Sequence, residues 1–381
     1  MRRPRRATDA TAANVLTDSR AASEETQDDV IRDVRAVVVS WNGRHLLPQC
    51  LDSLRAQTLY PALLEIVVVD NGSEDGTLEY LASEFPDVRV VRSERNLGFA
   101  GGANLGLTNF RGDFVALVNN DATLAPDALQ RMLGTMTRVG NDRVAAVTAR
   151  IILAGHFVAR PATRGDTPPI GGYRRGAVFL EPASPASAGS FRVVNSTGNT
   201  VTRSGRGQDR DWLRAEGEES GDTDVFGFCG GAALLRRAAL DAVGAFDGSL
   251  FLYYEDTDLS WRLRAHGWVV RYEPSAEAVH RHAASSDASS AFFHFHNIRN
   301  SLIVMTRHAP AELALAAAAR QLAAVGADLL RGLGGGALAQ ARRRAVVDFG
   351  RRLPRSLNER RSLWRGLPRD ARRTVAHGLS R

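Results

Sequence analysis

The chain has 381 residues, of which 44% are hydrophobic and 24% charged. These values are typical of a globular protein and exclude a fibrous or wholly disordered one. Two cysteines, Cys50 and Cys229, exclude a disulfide scaffold and a cysteine-rich zinc module, and they favour a reduced intracellular protein. The net charge of +7 is concentrated at one end, because residues 311–381 hold fifteen arginines against five acidic residues. Lysine is absent, which excludes a Schiff-base or phosphate-loop lysine.

Residues 1–33 are predicted to form a solvated, disordered arm. Its basic start is followed by polar and acidic residues instead of the apolar run of a signal peptide. The most apolar later stretch, 310–341, also lacks the roughly 20 uncharged residues of a spanning helix. We therefore predict no membrane-spanning segment. The charged residues that interrupt the stretch 310–341 are Glu312, Arg320, Asp328 and Arg331.

Strands and helices are predicted to alternate over residues 34–150. Apolar, β-branched runs predict strands at Val34–Ser40, Leu64–Asp70, 88–92 and 114–119. Helices are predicted over 45–57, after Gly76, and from about 100 to 109. This alternation predicts an α/β fold with a mostly parallel sheet and right-handed crossovers. Residues 34–150 would then be a nucleotide-binding half.

The second half of the chain has a less regular pattern. Residues 155–222, rich in Gly, Pro, Ser and Arg, predict an irregular excursion with a short strand pair near 191–202. Helices are predicted over 236–243 and 256–265, and the Ala-rich residues 311–345 predict helix with a glycine break at 334–336. We predict one domain over 34–310, whose second half is 151–310, and a basic helical extension over 311–381.

Polar or glycine-rich loops follow all four predicted strands. Ligands of open α/β sheets bind outside the carboxyl ends of the strands, so these loops predict one ligand-binding edge. The candidate residues on this edge are Ser40, Asn42, Asp70, Asn96, Gly98, Gly101, Asn119, Asn120 and Asp121.

Two features of this edge have structural alternatives. The Asp70 carboxylate can accept hydrogen bonds from a base or ribose, but it can also cap the next helix, a role for which Ser73 competes. Gly98 and Gly101 allow the backbone to approach a ligand closely, although a tight turn alone would also explain them.

Asp121 is a candidate ligand for Mg²⁺ or Mn²⁺, with phosphate oxygens completing the coordination. Asn119 stands where a second acid could be, so the metal would have few charged protein ligands. The alternative is a turn-forming aspartate before Thr123. His280 follows a predicted strand and is a second candidate ligand, or else a packing residue.

Three acidic residues follow the aromatic run 250–254 and lead into a helix. Asp258 and Arg262 have the i, i+4 spacing of a structural ion pair. Glu255 and Asp256 can point into a cleft and act as general base towards a hydroxyl, although a helix-capping cluster is the alternative. Arg299 can clamp a diphosphate or belong to an amphipathic helix face.

From about residue 34 to 310 the chain resembles family 2 glycosyltransferases of the GT-A fold. The resemblance rests on VVVSWNG, VVVDNGSEDGT, NLGFAGGANLG, LVNNDATL, FCGGAALLRR, FLYYEDTDLSWRLRAHGW and a later VHRH. It implies a nucleotide-diphosphate-sugar donor, a divalent metal and inversion at the anomeric carbon.

The resemblance also implies roles for individual residues. Ser40, Asn42 and Asp70 match the family's nucleoside contacts, and Asp121 matches the last residue of its DxD-like metal motif. Asp256 matches the acid of the family's ED motif that serves as base, with Glu255 beside it. His280 matches a metal ligand of the family. Asn119 departs from the first acid of the metal motif.

The subgroup is similar to bacterial rhamnosyl- and galactofuranosyl-transferases that build cell-surface polysaccharide. That similarity implies dTDP-rhamnose or a UDP-sugar as donor and a glycan or polyprenyl-linked acceptor. The basic residues 311–381 are then predicted to attach a cytoplasmic protein peripherally to the anionic inner face of the plasma membrane. Nucleic-acid binding is disfavoured because no recognised nucleic-acid module is present. A sugar-nucleotide nucleotidyltransferase and a non-catalytic sugar-nucleotide-binding protein are the alternative functions.

Overall fold

The computed structural model describes residues 34–60, 62–163, 167, 169–281, 290–332, 335–368 and 370–379. The predicted arm at 1–33 and part of the predicted glycine break at 334–336 lie outside these residues.

The first part of the fold alternates strands and helices. Its elements are β1 (Val34–Ser40), α1 (Leu47–Arg55), β2 (Leu64–Asp70), α2 (Thr77–Glu84), β3 (Arg89–Arg92), α3 (Gly98–Gly106) and β4 (Phe114–Val118). β1 pairs in parallel with both β2 and β4, and β3 extends the sheet beyond β2. The predicted α/β architecture is confirmed, with small shifts at the ends of the elements.

The second part adds short strands and further helices. Its elements are β5 (Ala122–Leu124), α4 (Ala128–Thr137), β6 (Val144–Leu153), β7 (His156–Pro161), β8 (Tyr173–Arg175), β9 (Val178–Ala183), β10 (Val194–Ser196), β11 (Asn199–Val201), β12 (Gly207–Asp209), β13 (Asp224–Val225), β14 (Ala232–Arg236), α5 (Arg237–Val243), α6 (Glu255–Ala265), β15 (Val269–His280), α7 (Ala291–His308), α8 (Ala311–Leu330), α9 (Ala337–Leu363) and α10 (Ala371–His377).

The main sheet, within the described residues, follows the order β13-β15-β6-β14-β4-β1-β2-β3, with β10 paired to β6 and β5 to β15. β14 runs antiparallel between β4 and β6, whereas β6 and β15 are parallel. The long β15 ends at His280 beside β5, and β5 follows the loop after β4. This pairing brings the end of β15 to the edge where the polar loops meet.

The predicted irregular excursion is more ordered than its composition indicates. Three of its strands form an antiparallel sheet in the order β7-β9-β8. The predicted strand pair near 191–202 is wrong in its pairing, because β10 pairs with β6 and β11 pairs with β12. Gly198, with φ of 121°, lies between β10 and β11 and redirects the chain.

The sheet is covered on both faces, as expected for buried parallel strands. Val34, Ala36 and Val38 of β1 pack in one hydrophobic cluster, which includes α1 and α4. Val37 of β1 packs in the other cluster, with α3. α3 lies close to β1 because Gly106 has no side chain, since a Cβ there would overlap Val37.

The C-terminal helices share a third hydrophobic cluster with α6 and α7. Trp261 of α6, Leu302 of α7, Phe349 of α9 and Val375 of α10 are among its buried members. Buried residues of α9 and α10 therefore share a cluster with α6, the helix that begins with Glu255 and Asp256.

α8 covers much of the apolar stretch 310–341. By length and composition alone, this helix could cross a membrane, and 6% of its most apolar window is buried. Leu315, Leu322 and Leu329 lie on its exposed side at seven-residue spacing, and Leu315 is 70% exposed. The helix carries the charges Glu312, Arg320 and Asp328, so the prediction of no membrane-spanning segment is not contradicted.

Candidate active site

The loops after β1, β2 and β4 meet at one edge of the sheet. β1 and β2 end in register, with Ser40 opposite Asp70. The amide of Asn120 donates to Ser40 Oγ at 3.2 Å. Asn42 joins the first two loops, because its backbone N–H donates to Ser73 Oγ at 2.9 Å. The predicted edge is thus a connected polar surface.

Asp70 is fully buried at the end of β2, and its two carboxylate oxygens have different surroundings. Oδ1 accepts a hydrogen bond from Ser73 N at 3.1 Å, which accounts for a turn-forming role. Within the described residues, Oδ2 is buried without a hydrogen-bond partner. Leaving such an acceptor unsatisfied costs about 1–3 kcal/mol. The turn alone therefore does not explain this carboxylate, and a bound donor group would.

Asn71 holds the loop after β3 in place and was not identified from the sequence as a site residue. Its Nδ2 donates to Asn96 Oδ1 at 3.1 Å and to Gly98 O at 3.0 Å. Its Oδ1 accepts from Leu97 N at 3.0 Å. A polar residue directly after a buried strand was the signal that could have found it.

The same loop touches the segment that precedes the acidic pair. Gly98 has a φ of 70°, and a Cβ at this position would overlap the backbone carbonyl of Phe251. That carbonyl also accepts from Ala100 N at 3.2 Å. Gly101 lies in the first turn of α3, where a Cβ would come 2.7 Å from Leu97 Cβ. Close packing thus explains both glycines at least in part.

Asp121 and His280 form a pair at the far side of this edge. His280 Nε2 lies 2.9 Å from Asp121 Oδ1 and 3.3 Å from Asn119 Nδ2. His280 Nδ1 lies 2.6 Å from Asn195 Oδ1, so the ring donates its Nδ1 proton to that oxygen. Nε2 then faces the Asn119 amide and the Asp121 carboxylate.

This pair fits a divalent cation. An imidazole nitrogen and a carboxylate oxygen that are 2.9 Å apart have the separation of neighbouring ligands around a small cation with bonds of about 2.1 Å. The described residues contain no group of three or more His, Cys, Asp or Glu side chains that could hold a metal. A cation here would need further oxygens, such as those of a diphosphate.

Glu255 and Asp256 begin α6; Glu255 is buried and Asp256 is half-buried. Asp256 Oδ1 accepts from Thr257 N at 2.6 Å and from Asn199 Nδ2 at 3.3 Å, and Oδ2 accepts from Gly230 N at 3.4 Å. Glu255 Oε2 is buried without a hydrogen-bond partner among the described residues.

These surroundings distinguish the two carboxyl groups. Burial raises the pKa of Glu255, and the neighbouring Asp256 charge raises it further. Burial also raises the pKa of Asp256, but the donors from Thr257, Gly230 and Asn199 oppose that increase. Donors that favour the ionised form are concentrated on Asp256, so Asp256 is the better candidate for a proton acceptor.

Asp258 has the structural role that its spacing predicted. Its Oδ2 pairs with Arg262 Nε at 2.9 Å, and its Oδ1 lies 2.8 Å from His308 Nε2. Burial acts to raise the pKa of Asp258, but Arg262, His308 and Arg307 outweigh it and hold the pKa far below its usual range. Asp258 therefore connects α6 to α7.

The segment before the acidic pair is strained and is held from α7. Phe251, Tyr253 and Tyr254 have φ values of 69°, 68° and 71°, which bulky residues rarely adopt. Asn300 Nδ2 donates to the Leu250, Leu252 and Tyr253 carbonyls at 2.7–3.0 Å.

Arg299 assists in holding this segment. Its guanidinium is buried and donates to Leu250 O at 2.8 Å and to Asn300 Oδ1 at 2.8 Å. These contacts support the fold at this point, and the diphosphate clamp stays a prediction without geometric support.

A second wall of the site comes from the excursion and was missed from the sequence. Asn195 of β10 contacts His280, and Asn199 of β11 contacts Asp256. Asp209 of β12 lies opposite Asn199 in the hairpin. The available signal was the polar run 195–200, because an asparagine in a strand is seldom buried without a hydrogen-bond partner.

Comparisons with known proteins identify the family and the relatives of this chain. Residues 36–244 match the family model described as Glycosyl transferase family 2, and residues 199–313 match Glycosyl transferase family group 2. The chain is 27% identical over 266 residues to the N-acetylglucosaminyl-diphospho-decaprenol L-rhamnosyltransferase of Mycobacterium tuberculosis, covering 67% of this chain and 78% of that protein. It is 35% identical over 106 residues to the succinoglycan biosynthesis protein ExoO of Rhizobium meliloti, covering 28% of this chain and 30% of that protein.

Among solved structures, the chain is similar in fold to GalNAc-T7 with UDP, GalNAc and Mn²⁺. The TM-score is 0.51 at 17% sequence identity, over 74% of this chain and 48% of that one. The chain thus spans about half the length of that protein, and the likeness concerns the fold alone.

Proposed function

The chain belongs to glycosyl transferase family 2, and from that membership we propose an inverting transfer from a nucleotide-diphosphate-sugar donor to a hydroxyl group of a glycan or lipid-linked glycan. One observation carries the proposal. Gly230 N donates to Asp256 at 3.4 Å, and the adjacent Gly231 O accepts from Asn119 N at 3.0 Å. The proton acceptor and the Asp121 loop are therefore joined through two consecutive residues.

The donor is proposed to be dTDP-rhamnose, with a UDP-sugar as the second candidate. The relative from Mycobacterium tuberculosis is named as an L-rhamnosyltransferase, which supports rhamnose as the transferred sugar. On the nucleoside side, the unpartnered Asp70 Oδ2 would accept a hydrogen bond from the base or ribose. Ser40 and Asn42 border that position.

Asp256 would accept the proton of the acceptor hydroxyl while that oxygen attacks the anomeric carbon. The new bond forms on the face opposite the nucleoside diphosphate, and the bond to the diphosphate breaks. A general base of this kind supplies roughly 10²–10⁴-fold in rate. The neighbouring Glu255 keeps its proton more readily and would not compete for this role.

The residues that would hold a divalent cation, Mg²⁺ or Mn²⁺, are Asp121 and His280. Bound there, the cation would stabilise negative charge on the departing diphosphate. Asn195 would keep the histidine in the tautomer that offers Nε2, and the uncharged Asn119 would leave Asp121 as the charged protein ligand. Asn120 would support the adjacent Ser40 through their hydrogen bond.

The acceptor is proposed to be linked to a polyprenyl carrier, because the mycobacterial relative is named for a decaprenol-linked sugar. Attachment to a bilayer surface would then place the site near its acceptor. The exposed leucines of α8 at positions 315, 322 and 329 support such attachment through the apolar side of that helix.

The membrane proposal is tested by flotation with phosphatidylcholine vesicles with and without anionic phosphatidylglycerol. Replacing the three leucines by serine should abolish flotation with anionic vesicles and leave thermal stability unchanged. Equal flotation of the variant and the wild type would refute attachment through α8.

Product analysis separates the proposed transfer from its alternatives. Candidate donors are first screened by thermal shift with Mn²⁺, because a ligand that binds the native state stabilises it. A transferase should release nucleoside diphosphate when an acceptor is supplied. A nucleotidyltransferase would release pyrophosphate from a nucleoside triphosphate, and a binding protein would release neither.

A further inference from the structure

Asp209 is a third carboxylate at the site, and the proposed mechanism does not use it. It lies at the end of β12, opposite Asn199, which donates to Asp256. Asp209 is half-buried. The side chains of Ser196 and Cys229 act to lower the pKa of Asp209, the Asp256 charge acts to raise it, and His280 acts to lower it.

A comparison with Asp211, two residues later, shows that Asp209 is not a structural ion-pair residue. Asp211 accepts from Thr197 Oγ1 at 2.6 Å and pairs with Arg214 at 3.3 Å. In the described part of the chain, by contrast, no ion pair joins Asp209 to an arginine, and no arginine is among the main influences on its pKa. Burial raises the pKa of Asp209 to about 6 despite the hydroxyl of Ser196. A half-buried carboxylate without a cation is costly unless a ligand supplies donors.

The mechanism indicates which ligand lies there. In a displacement with inversion, the transferred sugar lies between the departing diphosphate and the attacking hydroxyl. The first would be held near Asp121 and His280, and the second near Asp256. Asp209 interacts with groups on both sides, so it borders the space for the sugar ring.

We propose that Asp209 binds the sugar being transferred, by accepting a hydrogen bond from one of its hydroxyl groups. An ionised carboxylate offers acceptors alone, which suits a sugar hydroxyl and excludes a second carboxylate or phosphate. The inference rests on the proposed transferase function and adds a residue that selects the sugar. Because β12 belongs to the excursion and not to the central sheet, this selection is separate from nucleotide binding.

The test uses the full chain and compares Asp209→Asn with the wild type. Dissociation constants are measured with Mn²⁺ for dTDP and UDP without sugar, and for the nucleotide sugar that the wild type accepts. The affinity for the free nucleotide should stay within about twofold, whereas the affinity for the nucleotide sugar should fall about 10-fold to 100-fold, as for the loss of a hydrogen bond to a charged group. Gln208→Ala, at the exposed neighbouring position, is the matched control and should change neither.

Deoxygenated donors identify the contact directly. A donor that lacks the contacted hydroxyl should bind the wild type and Asp209→Asn equally, while donors deoxygenated elsewhere should keep the difference. If Asp209→Asn does not fold, the wild type alone still tests the proposal. Equal wild-type affinity for the complete donor and for every deoxygenated donor would then overturn it.

Three results would overturn the proposal. The first is unchanged nucleotide-sugar affinity in Asp209→Asn, and the second is an equal loss for free nucleotide and nucleotide sugar. The third is a loss of activity in Asp209→Asn that depends on a hydroxyl group of the acceptor and not on one of the donor sugar. Failure of the wild type to bind any nucleotide or nucleotide sugar would instead refute the proposed transferase function itself.

Discussion

Replacing Asp256 by asparagine removes the proposed proton acceptor with little change in shape. The amide oxygen can keep the hydrogen bonds from Thr257 N at 2.6 Å and Asn199 Nδ2 at 3.3 Å. The new NH₂ group faces Gly230 N, whose contact with the carboxylate is already long at 3.4 Å. The substitution therefore loses one weak hydrogen bond and the ability to accept a proton.

The expected kinetic effect follows from the loss of a general base. A factor of roughly 10²–10⁴ in turnover corresponds to about 3–5 kcal/mol of barrier, at about 1.36 kcal/mol per tenfold. Stability should not fall, because the substitution removes one of two neighbouring carboxylates whose charges repel each other. The assay is release of nucleoside diphosphate at saturating donor and acceptor, with donor affinity and thermal unfolding measured on the same samples.

Glu255→Gln is the matched control, since it neutralises the adjacent carboxyl and leaves Asp256 intact. It should retain most of the wild-type turnover. Wild-type turnover in Asp256→Asn, together with a large loss in Glu255→Gln, would refute the assignment and move the base to Glu255. A loss of donor binding in Asp256→Asn would show that the carboxylate acts on the donor.

Further predictions concern packing, metal binding and pH. Gly98→Ala should lower both the melting temperature and turnover, because its Cβ would overlap the backbone carbonyl of Phe251. The control is Gly134→Ala, which lies within a helix with open space around it and should be neutral or stabilising by up to about 1 kcal/mol. Equal melting temperatures for the two variants would contradict this prediction. Asn195→Ala should raise the Mn²⁺ concentration for half-maximal activity roughly 10-fold to 100-fold, since His280 loses the 2.6 Å contact that orients it, and an unchanged metal titration would argue against this role. Burial raises the pKa of Glu255, so the folded state retains a proton that the unfolded state releases, and wild-type stability falls as pH rises above the unfolded pKa of about 4.3. The difference in melting temperature between Glu255→Gln and the wild type should therefore grow in favour of the variant from pH 5 to pH 8. A difference that does not change with pH would exclude the raised pKa of Glu255.

The sequence predicted the parallel half of the fold because that half is built from local patterns. Each buried strand is a continuous apolar run, and each is followed by a helix with its own periodicity. β6 and β15 pair over more than a hundred residues of separation, with Val144 opposite Val269, and no local signal marks such pairing. No local signal marks the pairing of β7 with β9 either, because the Gly, Pro and Ser residues around them predict an irregular segment.

The candidate site divides in the same way. Residues directly after strands, such as Asp70 and Asp121, were identifiable because strand ends converge on one edge. Asn195 and Asp209 could not be identified, because their positions depend on the pairing of β10 with β6 and of β12 with β11. The diphosphate role of Arg299 stays a prediction, because the guanidinium donates to Leu250 O and residue type alone gives no information on where a guanidinium points.

The C-terminal helices bear on both the active site and the membrane proposal. The predicted basic extension is not an independent tail, because Arg307 of α7 pairs with Glu359 of α9 at 2.6 Å and with Asp247 at 2.6 Å. The same guanidinium lies 3.5 Å from Asp258 in the helix that begins with the acidic pair. Removing one partner of a buried ion pair costs about 3–5 kcal/mol.

Several arginines of α9 are therefore committed to contacts within the protein. Arg360 donates to Thr306 O at 2.8 Å and Ala309 O at 2.6 Å, and Arg352 pairs with Asp348 at 2.8 Å. Deleting residues 311–381 would expose the third hydrophobic cluster and release the helix that carries Asp256. Lost activity in such a deletion would not distinguish a membrane anchor from a structural support. Substitution of the exposed α8 leucines leaves these contacts intact, so it is the perturbation that isolates attachment from catalysis.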